Sequence, residues 1–413
     1  MTRADAPETP RDTGAPVTPA APIDPVLLGP VLAPLGQSRT LPAAAYTSPE
    51  VLAWERRHFW ERSWVCAGRA DALARPGDHA AVRAGSAGVL LVRDEQGALR
   101  GFHNTCRHRG HELLECGTAA SGRAIRCPYH AWVYRLDGRL RSTPRFGQLS
   151  PTDPVHEGLI PARVAEWHGW VFVNASGDAA ELAGHLAGLD ALLGPYQPGR
   201  LAAAAAHEYV VRANWKVVVE NYHECYHCLS IHPELCRVSP TDSGEDFEPA
   251  GMWAGGSMDL APGADTMSLT GRGAGPPLPW LPEPLHRRVL YLGLFPNLLV
   301  SPHPDYVLTH RLEPLDPGST RVECRWLFPA DAVAAGDVDP SFAVDFWDVT
   351  NRQDWRACES VQRGVASPGY RPGPLSAQEG ALHQFLDLVA RGYLAEDLGD
   401  ATAGGPPLGG RPG

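Results

Sequence analysis

No run of about 18 apolar residues occurs in the 413 residues, so no helix is expected to span a membrane. Basic residues are in short supply. Against 47 Asp and Glu stand 36 Lys and Arg, for a formal net charge of -11. That balance argues against nucleic acid and anionic membrane as partners, because both need basic patches. It is compatible with a cationic substrate or a basic redox partner. No G-x-G-x-x-G fingerprint follows any strand pattern, so NAD(P)H is not expected to bind directly. The first 30 residues hold no uninterrupted apolar segment and do not read as a secretory signal, which gives the expectation of a cytoplasmic protein. In a reducing cytosol the nine cysteines read as metal ligands and buried thiols.

The length allows two domains with cores of their own. Residues 1–40 are rich in proline and read as a disordered tail. Residues 41–64 read as an N-terminal helical segment packing on the larger, C-terminal domain. Within it residues 48–64 carry Ser48 as N-cap, Pro49 in the first turn and apolar residues at three-to-four spacing. Residues 65–175 alternate short β-like runs with Gly, Pro and Asp turns, as a small all-β domain does. Residues 176–400 mix helices and strands: helices over 214–229 and from 342 to about 361, strands over 289–300 and 307–328. Residues 239–282 read as a long functional loop, and 401–413 as a flexible tail. The fold class expected is α+β.

Two constellations carry chemistry. The first is Cys106-Arg107-His108 followed, eighteen residues on, by Cys127-Pro128-Tyr129-His130. Two thiolates and two imidazoles suit a [2Fe–2S] cluster with two His on one iron; the same four could hold zinc. Gly110 and Gly138 allow tight turns that bring N–H groups toward sulfur, and Pro128 stiffens the second loop. His111 reads as a packing or hydrogen-bonding residue, and Cys116 as a buried thiol. The second constellation is the segment from Asn214 to Pro233. On a continuous helix Glu220, Glu224 and His227 would share one face. Pro233 disfavours helix for the residue before it, so the chain should turn at His232 and bring that imidazole back toward His227. Two His with a carboxylate from elsewhere make the facial triad of non-haem Fe(II) oxygenases, with positions left open for O₂. His223 reads as an exposed or capping residue.

The run from Asn104 to His111, with Cys127-Pro-Tyr-His-Ala-Trp132, resembles the cluster-binding loops of Rieske proteins. Residues 50–400 are similar to the catalytic (alpha) subunits of Rieske non-haem iron oxygenases, the aromatic-ring-hydroxylating type. That resemblance implies a small all-β Rieske domain beside a catalytic domain with an antiparallel sheet flanked by helices. It implies Cys106, His108, Cys127 and His130 as cluster ligands. It also implies Asp354, in Asn351-Arg-Gln-Asp-Trp, as the third iron ligand beside His227 and His232, with Glu359 serving its helix. Glu224 matches the family's acidic residue bridging the iron to a neighbouring subunit's cluster, where Asp is commoner. The implied cofactors are the [2Fe–2S] cluster, Fe(2+) and O₂ as cosubstrate, with NAD(P)H acting through a separate flavin/iron–sulfur reductase. A homotrimer is implied as well.

Within the family, the runs around Glu220 and Ser301 to His310 look like the branch oxidising quaternary amines such as glycine betaine, stachydrine or choline. Hydroxylation of an N-methyl group would release formaldehyde. An aromatic cage suits such a cation, and Trp253, Trp280, Tyr291, Phe295 and Tyr306 are the candidates. His303 or His310 is a candidate for meeting a substrate carboxylate. An arene dioxygenase large subunit and a non-catalytic Rieske electron carrier are the competing readings.

Overall fold

The computed structural model describes residues 20–146 and 158–395. The expectations for residues 1–19 and 401–413 lie outside that range. Residues 20–40, expected as tail, instead lie on the molecule: Leu28 and Val31 are buried, and Thr40 N–H donates to Gly373 O at 3.0 Å. Their apolar side chains find cover, which outweighs the proline-rich composition.

Ser48 caps α1 (Pro49–Glu55), its hydroxyl accepting from Val51 N at 3.3 Å. The helix is shorter than expected. It passes through a wide π turn, Arg56–Trp60, and strand begins at Val65.

The first body is antiparallel throughout. Its seven-stranded sheet runs in the order Val65–Arg69, Trp170–Asn174, Pro161–Trp167, Leu99–His103, Ala87–Arg93, Asp78–Ala84, Ala119–Ser121. A three-stranded sheet (Ile125–Arg126, Val133–Tyr134, Leu140–Ser142) holds the second Cys-His loop. Gly138 has φ +87, and a Cβ there would meet the Phe102 ring at 2.3 Å, so only glycine fits this turn.

The second body is built on β1 (Leu201–Val211), β2 (Glu245–Asp246), β3 (Trp253–Asp259), β4 (Arg288–Leu294), β5 (Leu298–Pro302), β6 (Val307–Asp316) and β7 (Ser319–Pro329). They form one antiparallel sheet in the order β1-β7-β6-β5-β4-β3-β2. The segment expected as a long loop thus supplies two strands. Against the sheet pack α2 (Trp215–Tyr222), α4 (Ser341–Val365) and α5 (Gly380–Leu394), and α3 (Pro233–Val238) packs on α4. Asn297, between β4 and β5, joins the two bodies: its side chain accepts from Cys66 N at 2.9 Å and donates to Cys66 O at 3.0 Å.

The chain has a single lysine, Lys216, and it is wholly buried. Its ammonium pairs with Glu55 at 2.6 Å; Trp215 Nε1–H donates to the same carboxylate at 2.8 Å, and Tyr393 O–H donates to it as well. α1, α2 and α5 are therefore tied through one buried carboxylate. No helix among the described residues is long and apolar enough to cross a membrane.

Candidate metal centres

In the first body the two loops meet with the thiols inside and the imidazoles outside. Cys106 and Cys127 are buried, while His108 and His130 are half-buried. The imidazoles lie 4.6 Å apart, and His108 stacks on Trp132 at 4.9 Å. His108 Nδ1 is buried with no partner in the chain, as a ligand nitrogen awaiting a metal would be. Burial raises the Cys106 thiol, so its thiolate needs a positive neighbour. Tyr134, unforeseen in the sequence, completes the nest: its hydroxyl accepts from Arg107 N at 3.0 Å and lies 3.2 Å from Cys106 Sγ. No spacing rule points to it.

The second centre forms where α2 ends. Asn214 caps the helix, its side chain accepting from Lys216 N at 3.0 Å. The helix stops at Tyr222 rather than running on to 229, so Glu220, Glu224 and His227 do not share one helical face. Glu220 turns to the core near Tyr46, and burial pushes its carboxyl up to about 8. Glu224 sits in the following loop, accepting from Tyr226 N at 2.5 Å and His227 N at 3.2 Å. His232 has φ -116 and ψ 69, outside the helical region, before Pro233 opens α3. The chain turns there, as expected.

That turn brings His227, His232 and Asp354 together. The two Nε2 atoms are 3.2 Å apart, and Asp354 Oδ1 lies 2.8 Å from His232 Nε2 and 3.4 Å from His227 Nε2. The outer nitrogens fix the tautomers. His227 Nδ1–H donates to Glu224 Oε1 at 2.5 Å. His232 Nδ1–H donates to Gln353 Oε1 at 2.7 Å, and Gln353 Nε2 in turn donates to Glu234 at 3.1 Å. Each inner nitrogen is then a lone pair, so three acceptors converge with no donor among them. Although burial opposes a charge on His227, Asp354 and Glu224 push its pKa up to about 10. A proton can fill this negative hole, and so can a divalent ion. Gln353 was missed in the sequence, though it is next to Asp354. Glu359, as expected, lies apart and accepts from Arg212 N at 3.3 Å.

A cavity of about 440 Å³ opens over the triad. Of the five expected cage aromatics, only Tyr291 lines it. Trp253 packs in a second core and donates to Ala187 O at 2.8 Å; Trp280 donates to Tyr196 O at 3.0 Å and lies under Arg200. Phe295 packs on Phe59 and Trp215, and Tyr306 is fully buried, donating to Met267 O at 3.1 Å. Strand register decides this: Gly256 pairs with Tyr291, but Trp253 pairs with Leu294 in the other core. Tyr222, Tyr226, Trp347 and Trp355 line the cavity instead. His310 is on its wall, whereas His303 is buried against Tyr306. His223 is neither exposed nor capping through its ring; it is buried on the wall. Cys225 and Cys228, expected as thiols, are disulfide-bonded, and Cys116 is only half-buried.

A sulfur-and-imidazole nest on an all-β body, joined to a carboxylate–imidazole triad under an open cavity, defines the class of Rieske non-haem iron oxygenases. Residues 63–154 match the Rieske [2Fe-2S] domain, and residues 198–395 match the ring hydroxylating alpha subunit (catalytic domain). The chain is 33% identical over 381 residues to the glycine betaine monooxygenase oxygenase subunit of Chromohalobacter salexigens, covering 84% of each chain. It is 35% identical over 198 residues to the carnitine monooxygenase oxygenase subunit of Acinetobacter baumannii, covering 47% of this chain and 53% of that one. Its fold matches that of the quaternary ammonium Rieske monooxygenase CntA, with TM-score 0.75, 24% identity, and 91% and 100% of the two chains covered. The chain belongs to the ring-hydroxylating oxygenase alpha-subunit family. It is an oxidoreductase with a Rieske [2Fe–2S] cluster and a non-haem iron, and it uses O₂.

Proposed function

We propose that this oxygenase hydroxylates an N-methyl group of a quaternary amine. Cys106, His108, Cys127 and His130 would hold the cluster, and His227, His232 and Asp354 the iron. The observation that carries the reading is the convergence of Asp354 Oδ1 with two Nε2 lone pairs under a cavity whose wall is rich in aromatic rings. Aromatic faces attract a quaternary ammonium that cannot hydrogen-bond. The relatives' names, glycine betaine and carnitine monooxygenase, support the same class. When bound, the iron and cluster supply O₂ activation and the delivery of electrons to it.

The chain's own residues orient and exclude. Glu224 and Gln353 hold the two imidazoles in one tautomer, and the lining aromatics keep water from the reacting methyl group. One oxygen atom of O₂ enters the C–H bond and the other leaves as water, consuming two electrons and two protons. The resulting hydroxymethyl ammonium loses its hydroxyl proton and breaks its N–C bond, the bonding pair staying on nitrogen, to give formaldehyde, a tertiary amine and a proton. The electrons come from a separate reductase. Head-to-tail trimers, with Glu224 bridging one subunit's iron to the next subunit's cluster, would cover Tyr226 and Leu229, which are 62% and 74% exposed. The division at about residues 65–175 and 176–400 is proposed as the working domain boundary.

Anaerobically purified protein should hold about three iron per chain, two of them in a Rieske-type EPR signal. His227→Ala should keep that signal and lose the third iron; loss of neither rejects the triad. Formaldehyde release from quaternary amines with none from arenes supports the reading, and the reverse pattern overturns it.

A further inference from the structure

We propose that the cavity selects an ammonium cation whose remaining groups carry no carboxylate, choline-like rather than betaine-like. This rests on the reading of the cavity as a quaternary-amine site. Among the described residues its wall contains neither Lys nor Arg, while five carboxylates belong to it: Glu224, Asp242, Glu245, Asp246 and Asp354. A divalent ion held by Asp354 would be neutralised by Asp354 and Glu224 together. That leaves Asp242, Glu245 and Asp246, exposed along residues 242–246, as the surplus charge. Among the described residues Glu245 has Arg288 at 3.5 Å, which Asp259 shares at 3.2 Å, and Asp246 accepts from the backbone of Ala381 but has no cation.

The histidines of the wall do not repair the balance. His310 Nε2–H donates to Asn351 Oδ1 at 3.1 Å, so its Nδ1 is a lone pair, and that atom has no partner in the chain. His310 is 3% exposed, and burial lowers its pKa to about 4; His223 is likewise lowered to about 3. Both are neutral at pH 7. The Tyr291 hydroxyl is also without a partner. The unpartnered polar groups of the wall are therefore neutral ones: the His310 acceptor, the Tyr291 hydroxyl, the His223 ring nitrogens and the Trp355 indole N–H. They match a substrate hydroxyl, which both donates and accepts. These neutral groups give a carboxylate no cation to replace its water, and it would face uncompensated negative charge. The acidic segment also raises the local concentration of a cation at the entrance.

The test is titration calorimetry and steady-state turnover of the metal-loaded full chain with choline and glycine betaine, which differ at the polar end. Choline should bind at least about tenfold more tightly, with kcat/KM following. Its affinity should fall with added salt. In the triple variant Asp242→Asn, Glu245→Gln, Asp246→Asn that ratio should narrow and the salt dependence flatten. Glycine betaine binding as tightly as choline overturns the inference, as does an unchanged ratio in a folded triple variant. Turnover that favours glycine betaine overturns it while leaving the N-methyl oxidation reading intact. Preferential choline binding without oxidation of either compound upholds the selectivity and rejects the reaction.

Discussion

Gln353 shows how much a single neutral side chain decides. Its amide is oriented by the bond to Glu234, so its oxygen faces His232 and holds the imidazole proton on Nδ1. Replacing it with leucine frees the ring to adopt the other tautomer, which would point a proton at Asp354. Gln353→Leu should lower affinity for the mononuclear iron by roughly tenfold or more. Iron analysis after dialysis against a chelator reads this, and the Rieske EPR signal serves as the internal control. Glu220 decides something different. A glutamate titrates near about 4.3 in an unfolded chain, but burial holds this one at about 8 despite Tyr46 and Lys216. The folded state therefore keeps the proton longer. The stability this contributes is complete below the unfolded pKa and is lost as pH rises through 8. Glu220→Gln should match the parent near pH 4 and gain on it progressively up to about pH 8, levelling off above, by roughly 5 kcal/mol at most. Thermal denaturation across pH measures it, and a gap that does not widen with pH rejects it. Neither role was legible in the sequence. Glu220 was placed with the site by helical spacing, and only the end of α2 at Tyr222 shows that it faces Tyr46.

At the scale of elements, local signals read well and periodicity read too far. Ser48 and Pro49 start α1, and Pro233 breaks the chain at His232, because caps and proline act on their immediate neighbours. The Cys-His pairs were legible for the same reason, each lying within one loop. Asp354 lies 122 residues from His232, and no local rule connects them. The cage aromatics failed because the face a strand residue presents depends on register, which a single sequence does not display. The buried ion pair between α1 and α2 was equally hidden. Lys216 looks like an ordinary helical lysine until Glu55, 161 residues away, is found beneath it. Lys216→Ala would leave the Glu55 carboxylate buried against Trp215 and Tyr393 without its cation. It should cost roughly 3 kcal/mol or more. The double variant Lys216→Met, Glu55→Leu should recover much of that loss, since an apolar pair needs no compensation. Chemical denaturation of the three proteins separates these outcomes.

At the scale of the whole molecule, the two centres lie on separate sheets that Asn297 joins through Cys66. Each centre has its outward side near an exposed ring: Tyr129 beside His130, 53% exposed, and Tyr226 beside His227. Such rings are costly to leave in water and inexpensive to cover in a subunit contact. A head-to-tail ring would bring the first centre of one subunit to the second centre of the next, and a heterologous contact closes such a ring without self-complementarity. Co-expression of Cys106→Ser, which removes a proposed cluster thiolate, with His227→Ala, which removes a proposed iron ligand, separates the two electron routes. If electrons cross between subunits, a randomly mixed trimer pairs an intact cluster with an intact iron at about a quarter of its interfaces, and should regain about that share of parental activity. If they stay within one chain, every subunit is dead and mixing restores nothing. Each variant alone must be inactive, and native mass spectrometry must show mixed trimers, so that silence counts against transfer between subunits rather than against assembly.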